Sequence, residues 1–170
     1  MVLLTASLLA IYFLALAFSF LGLYVGAVLA FISPEELKGG FNYFQALQAA
    51  CIILVTIFML RAFDAPLPLL IISGIVTATA LYFLQKTPIS QISYYLFGFA
   101  FFFSSFDHEL FTIIVSLIFL FGIPAGTLFA FRHFNKGLRA VLGDILLNYG
   151  VFLVVALIAN LTAIFVAVTA

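Results

Sequence analysis

Charge in this chain is almost confined to short breaks between long apolar runs. Six basic and six acidic side chains make up 7% of its 170 residues, against roughly a quarter in a soluble globular domain. A water-facing surface cannot be assembled from a chain that is 67% hydrophobic. A lipid-facing surface can. Hydrocarbon imposes no penalty on Leu, Ile, Val and Phe, whereas a charge at the centre of a bilayer costs at least about 2.5–3.5 kcal/mol.

An apolar run of roughly 17–25 residues can cross a bilayer as a helix. The chain offers six such runs, at residues 2–32, 41–60, 67–84, 89–106, 110–131 and 140–168. The expected fold is an all-α membrane protein: a compact bundle of six transmembrane helices with short loops. The count falls to five if the short fourth segment enters and leaves by one face. No hydrophilic stretch is long enough to fold separately, so residues 1–170 read as a single transmembrane helical domain. No Lys or Arg precedes Lys38, so the first run lacks the positive region of a signal peptide and is expected to persist as a span.

The breaks carry their own chemistry. Ser33-Pro34-Glu35-Glu36 has the spacing of a capping box with proline in the first turn. It predicts a short interfacial turn of helix ended by Gly39-Gly40. Two prolines and Asp64 mark residues 61–68, a polar turn occupies 85–88, and Asp107-His108-Glu109 separates the fourth and fifth runs. With six spans, both termini share a side with Arg61, and the opposite side holds Lys38, Lys86, Arg132, Lys136 and Arg139. The positive-inside rule then places both termini outside the cytoplasm. The chain has no Trp, so its tyrosines are the expected interface anchors. Tyr24, Tyr43, Tyr82, Tyr94, Tyr95 and Tyr149 fall in the cytoplasmic halves of their runs and Tyr12 in an outer half.

Two apolar segments have features beyond hydropathy. Ala15, Ser19, Gly22, Gly26 and Ala30 recur at steps of three and four, which places small residues on one helix stripe. In lipid such a stripe lets another backbone approach closely, within this chain or on a second protein or copy. Gly122-Ile123-Pro124-Ala125-Gly126 predicts a kink in the fifth helix, because proline removes a backbone donor and the glycines weaken the flanking turns.

Polar residues inside the runs are few. Gln45, Gln48 and Asn148, with the Pro124 kink, are the candidates for lining a solute cavity. Asp144 lies about a turn inside the sixth run, where it complements the helix dipole, pairs with Arg132, Lys136 or Arg139, or handles a proton or cation, in that order of expectation. Consecutive residues on a turn point in different directions, so Asp107-His108-Glu109 does not make a dedicated metal site. His108 and His133 stand a helix apart and cannot clamp one metal or haem. The lone Cys51 forms no internal disulfide. No nucleophile elbow, zinc-protease helix or phosphate loop is present. No catalytic residue, metal site or cofactor is therefore assigned, and an enzymatic role is disfavoured. Zero net charge and the lack of a long basic run argue against nucleic acid. The expected partners are the lipid bilayer and other membrane subunits, or a second copy through the first helix. The leading expectation is a non-catalytic packing subunit of a larger membrane complex. The alternative is a small transporter or solute-binding membrane component for a neutral or weakly polar solute.

Overall fold

The structure, a computed structural model, describes residues 6–83 and 89–169. The polar turn at 85–88, with Lys86, lies outside the described residues, as do the side chains of Glu36, Lys38 and Tyr82. The described chain is all helical: α1 (Ala6–Ile32), α2 (Pro34–Ala62), α3 (Leu67–Phe83), α4 (Ile89–Ser104), α5 (His108–Arg132), α6 (Leu138–Tyr149) and α7 (Val151–Thr169). A single 3-10 turn, Phe134–Lys136, links α5 to α6.

Three helices are long and apolar enough to cross a membrane: α1 over Leu9–Ile32, α2 over Gly39–Ala62, and α5. The α6–α7 pair, bent by 40°, makes a fourth if it is taken as one broken span. With 17 and 16 residues, α3 and α4 rise only about 24–26 Å at 1.5 Å per residue, short of the roughly 30 Å hydrocarbon core.

The bundle is organised around α5, which packs against α1, α2, α4 and α6. From Phe121 to Ala130 it is buried at nearly every position. Its closest neighbour is α1. A methyl group on Gly22 would collide with the carbonyl oxygen of Phe119, one on Gly26 with that of Ile123, and one on Gly126 with that of Leu23. In each case the glycine hydrogen that occupies this direction points at the oxygen, the geometry of a Cα–H···O contact worth about 0.5–1 kcal/mol. Thr127 adds a stronger link, its hydroxyl lying 2.9 Å from the Gly26 carbonyl and 2.8 Å from that of Ile123.

On α1 the small residues Ser19, Gly22, Gly26, Ala27 and Ala30 are buried together with the larger Tyr12, Leu16, Phe20 and Leu23, while Leu14, Leu21, Leu29 and Ile32 are exposed. At the other side of α5, rings from four helices interlock edge to face: Phe97 meets Phe121 at 4.9 Å, Tyr94 meets Tyr149 at 5.2 Å, and Phe101 meets Phe152 at 5.8 Å. Such pairs contribute about 0.5–1.5 kcal/mol each beyond the area they bury. Gly98 brings α4 onto α7, where a methyl group would strike Val155.

Three expectations need correction. Gly39-Gly40 does not end a separate turn: α2 runs from Pro34 without a break, and Ser33 makes no side-chain cap bond. A mid-helix glycine costs only about 1 kcal/mol, less than orphaning a turn of backbone groups in an apolar setting. The run at 140–168 is two helices rather than one. The Gly150 amide reaches the Leu146 carbonyl and Val154 reaches Gly150, with the ladder interrupted between them at the residue of lowest helix propensity. Finally, Tyr12, Tyr94 and Tyr149 are core residues, each less than 5% exposed, and not interface anchors. Tyr43, 80% exposed, fits that role. Meanwhile α5 passes through Pro124 as one helix.

The seam makes glycine identity decisive at one set of positions and irrelevant at another. Gly26→Ala should destabilise the protein by at least the ~1–3 kcal/mol typical of overpacking, because the obstructing atoms are backbone. At Gly143 nothing lies within 4 Å of an added methyl, so Gly143→Ala should stabilise by about 0.5–1 kcal/mol. Thermal unfolding followed by circular dichroism checks both signs.

Candidate functional site

The polar residues of the bundle fall into three separate groups. The first runs along the end where α5 gives way to α6. Lys136 Nζ donates to Asp144 Oδ2 at 2.6 Å, with the side chains 53% and 29% exposed. Asp144 is thus held by a lysine eight residues earlier, across the turn that Gly137 makes possible with φ +78°. One turn further along α6, Asn148 donates through Nδ2 to the Asp144 carbonyl at 2.7 Å and accepts from Gln91 of α4 at 3.2 Å. This polar file leads from the exposed Lys136 to the helix break at Gly150.

A second group consists of buried polar atoms. Gln48 Nε2 on α2 and the Tyr94 hydroxyl on α4 have no hydrogen-bond partner among the described residues. Tyr94 is fully buried, and Gln48 is 9% exposed. The Tyr94 hydroxyl sits at the junction of three helices, where a methyl on Gly122 would meet it together with the Gly22–Leu23 backbone. A buried polar group left without a partner costs about 1–3 kcal/mol. By contrast, the Tyr12 hydroxyl donates to the Ala156 carbonyl at 2.9 Å and ties α1 to α7.

The third group is the α4–α5 turn. Asp107 is the N-cap of α5, its Oδ1 accepting from the amides of Glu109 at 2.9 Å and Leu110 at 3.0 Å. Capping uses this carboxylate structurally. Among the described residues no group of three or more His, Cys, Asp or Glu side chains converges as metal ligands would.

The positions singled out from sequence are distributed as follows. Gln45 and Gln48 stand on α2, half-buried and buried respectively. Pro124 is packed shut inside α5, and Asn148 belongs to the file with Asp144 and Gln91. The contacts of Asn148 therefore lead away from α2. Of the small-residue stripe, Gly22 and Gly26 meet α5 within this chain. Ser19 returns its hydroxyl to the Ala15 carbonyl at 2.9 Å, and Ala30 is fully buried. Sequence reasoning missed Gln91, Tyr94 and Thr127. A glutamine or a threonine in an apolar run gives no sign of a partner 57 or 101 residues away, and a tyrosine there gives no sign that its hydroxyl will be left without one. Gly150 was legible as a weak helix position but was read through.

Among the described residues the arrangement contains hydrogen-bonding amides, one ion pair and two unpartnered donors, with no nucleophile set against a base. No protein-family model matches the chain, and comparison with curated proteins and with solved structures finds no match in either.

The tie between α1 and α7 should matter more than the exposed ion pair. Tyr12→Phe removes a buried hydrogen bond and is expected to cost about 1 kcal/mol. Lys136→Ala removes a solvent-screened pair and should cost less than ~0.5 kcal/mol. Chemical denaturation of the detergent-solubilised protein compares the two, and an equal loss in both would show that the ion pair is more than a surface contact.

Proposed function

We propose that the chain is a non-catalytic, polytopic integral membrane protein that serves as a packing subunit of a larger membrane complex. It forms a single membrane-embedded unit, with α3 and α4 as short spans and α6–α7 as one bent span, giving six crossings with both termini outside the cytoplasm. The observation that carries the reading is the unequal sealing of the bundle. The α1–α5 seam is closed backbone to backbone, whereas α3 packs on α2 and leaves Leu67, Leu69, Ile71, Ile72, Ile75 and Val76 exposed. Lipid satisfies the large side chains on this face. The small residues Ala78, Thr79 and Ala80, also exposed, offer the close approach that helix association in lipid requires.

The second reading, a small transporter for a neutral or weakly polar solute, is favoured by the file from Lys136 through Asp144 and Asn148 to Gln91, which ends at a broken helix. Interrupted helices commonly line solute paths.

Two measurements separate these readings and test the topology. Gentle solubilisation followed by affinity purification is expected to recover a stoichiometric membrane partner; a stable monomer that passes a neutral solute across reconstituted vesicles supports the second reading instead. Cysteines placed at Asp107 and Lys136 should be labelled from opposite faces of the membrane, Asp107 from outside. Outside accessibility of both overturns the six-span arrangement.

A further inference from the structure

A cleft of about 390 Å³ opens where the start of α2 faces the end of α5, lined by Leu37, Gly39, Phe41, Asn42 and Phe131. That volume is in the range of small-molecule sites, roughly 300–1,000 Å³. Its walls are apolar except for the Asn42 amide, which is exposed.

Gly39 is the telling wall. It lies within α2, where glycine is about 1 kcal/mol worse than alanine. The glycines of the α1–α5 seam offset that cost through the backbone they admit. Among the described residues nothing lies within 4 Å of a methyl added at Gly39. No close contact among them uses the missing side chain, and it leaves the floor of the cleft open to a body from outside.

Charge at the same end selects that body. Phe131 lines the cleft, and the next residue, Arg132, ends α5 with its side chain exposed. Arg139 follows on α6, also exposed. Neither has an ion-pair partner among the described residues. Within this segment the carboxylate of Asp144 is already taken by Lys136. Glu35, the other acid described at this end, sits in the first turn of α2, where the positive end of the helix dipole accommodates it. Stacking of Phe31 on Phe134 at 4.6 Å fixes the turn that carries these cations against the end of α1. A guanidinium on the residue that follows a wall of an apolar slot, at a bilayer surface, matches a phosphodiester with an attached acyl chain.

We propose that this cleft is a binding site for an anionic phospholipid: its phosphate is held by Arg132, with the Asn42 amide at hand, and its chain lies over Gly39 between Leu37, Phe41 and Phe131. The proposal rests on the membrane reading above. Removal of the guanidinium and filling of the slot should therefore each weaken binding, by different chemistry.

The test is native mass spectrometry of the full chain in an uncharged detergent, titrated with phosphatidylglycerol, phosphatidylcholine or inorganic phosphate. Phosphatidylglycerol should be retained at one copy per chain, with phosphatidylcholine at least fivefold weaker and phosphate alone not competing. Arg132→Gln and Gly39→Leu should each weaken phosphatidylglycerol at least fivefold, while Arg61→Gln and Gly143→Leu leave it unchanged. Gly39→Ala, which the open space tolerates, should keep the wild-type helical content and lose affinity less than Gly39→Leu. Equal retention of the two lipids, full competition by phosphate, or unchanged binding in Arg132→Gln would each overturn the site. Carbonate extraction of the wild-type chain from membranes is scored separately: release into the supernatant refutes the membrane reading, whereas retention without lipid selectivity refutes the site alone.

Discussion

Backbone-to-backbone contact between α1 and α5 is the constraint on which the other contacts depend. Helices in an apolar solvent gain nothing from hiding leucine, so the energy that joins them has to come from short-range packing and from hydrogen bonding. Gly22, Gly26 and Gly126 let each helix bring carbonyl oxygens onto the other's Cα atoms, and the Thr127 hydroxyl adds a link to the Gly26 carbonyl. Once that pair is set, the far side of α5 presents Phe121 to Phe97 and Tyr94. The ring cluster then recruits α4, α6 and α7. The sharing of one helix by two unlike surfaces, a bare backbone seam and an aromatic face, explains why α5 is buried at nearly every position between Phe121 and Ala130.

Polar groups are used sparingly, and each kind of use is distinct. Tyr12 and Thr127 spend their hydroxyls on carbonyls of another helix, which closes the bundle. Asp107 caps, and Asp144 is paired near the aqueous end. Tyr94 and Gln48 are the exceptions: the Tyr94 hydroxyl lies against the backbone of the glycine seam and the Gln48 amide is buried on α2, neither with a partner among the described residues.

Helical class and the approximate positions of the helices follow from the apolar runs, because a backbone without water must bond to itself. The ends of α1, α2, α3 and α5 lie near the polar and proline-bearing breaks for that reason. What hydropathy could not convey is which face of a helix is internal. On α1 both faces are apolar and both carry large residues, so the small stripe from Ala15 to Ala30 was readable while the buried Leu16, Phe20 and Leu23 beside it, and the helix that the stripe meets, were not. Nothing local to Gly26 names Thr127 as its partner. The tyrosines failed for a related reason: a phenol prefers an interface by default, but Tyr94 lies within reach of rings on α5, α6 and α7, and Tyr149 within reach of rings on α4 and α5, and packing outweighs the default. The break at Gly150 was hidden inside a run whose composition is uniformly apolar on both sides.

The seam also has a history in time. Gly26 and Thr127 are 101 residues apart, and Tyr12 and the Ala156 carbonyl 144 apart. At a synthesis rate of about 5–20 residues per second, α1 waits for roughly 5–20 s before the helix that covers its glycines has been made. Throughout that interval its most adhesive surface is bare, and the first nearby backbone able to match it is another newly made α1. The geometry that makes the finished bundle tight therefore sets a kinetic contest during its birth, between closure onto α5 in the same chain and pairing with a neighbour, decided by how crowded the site of synthesis is.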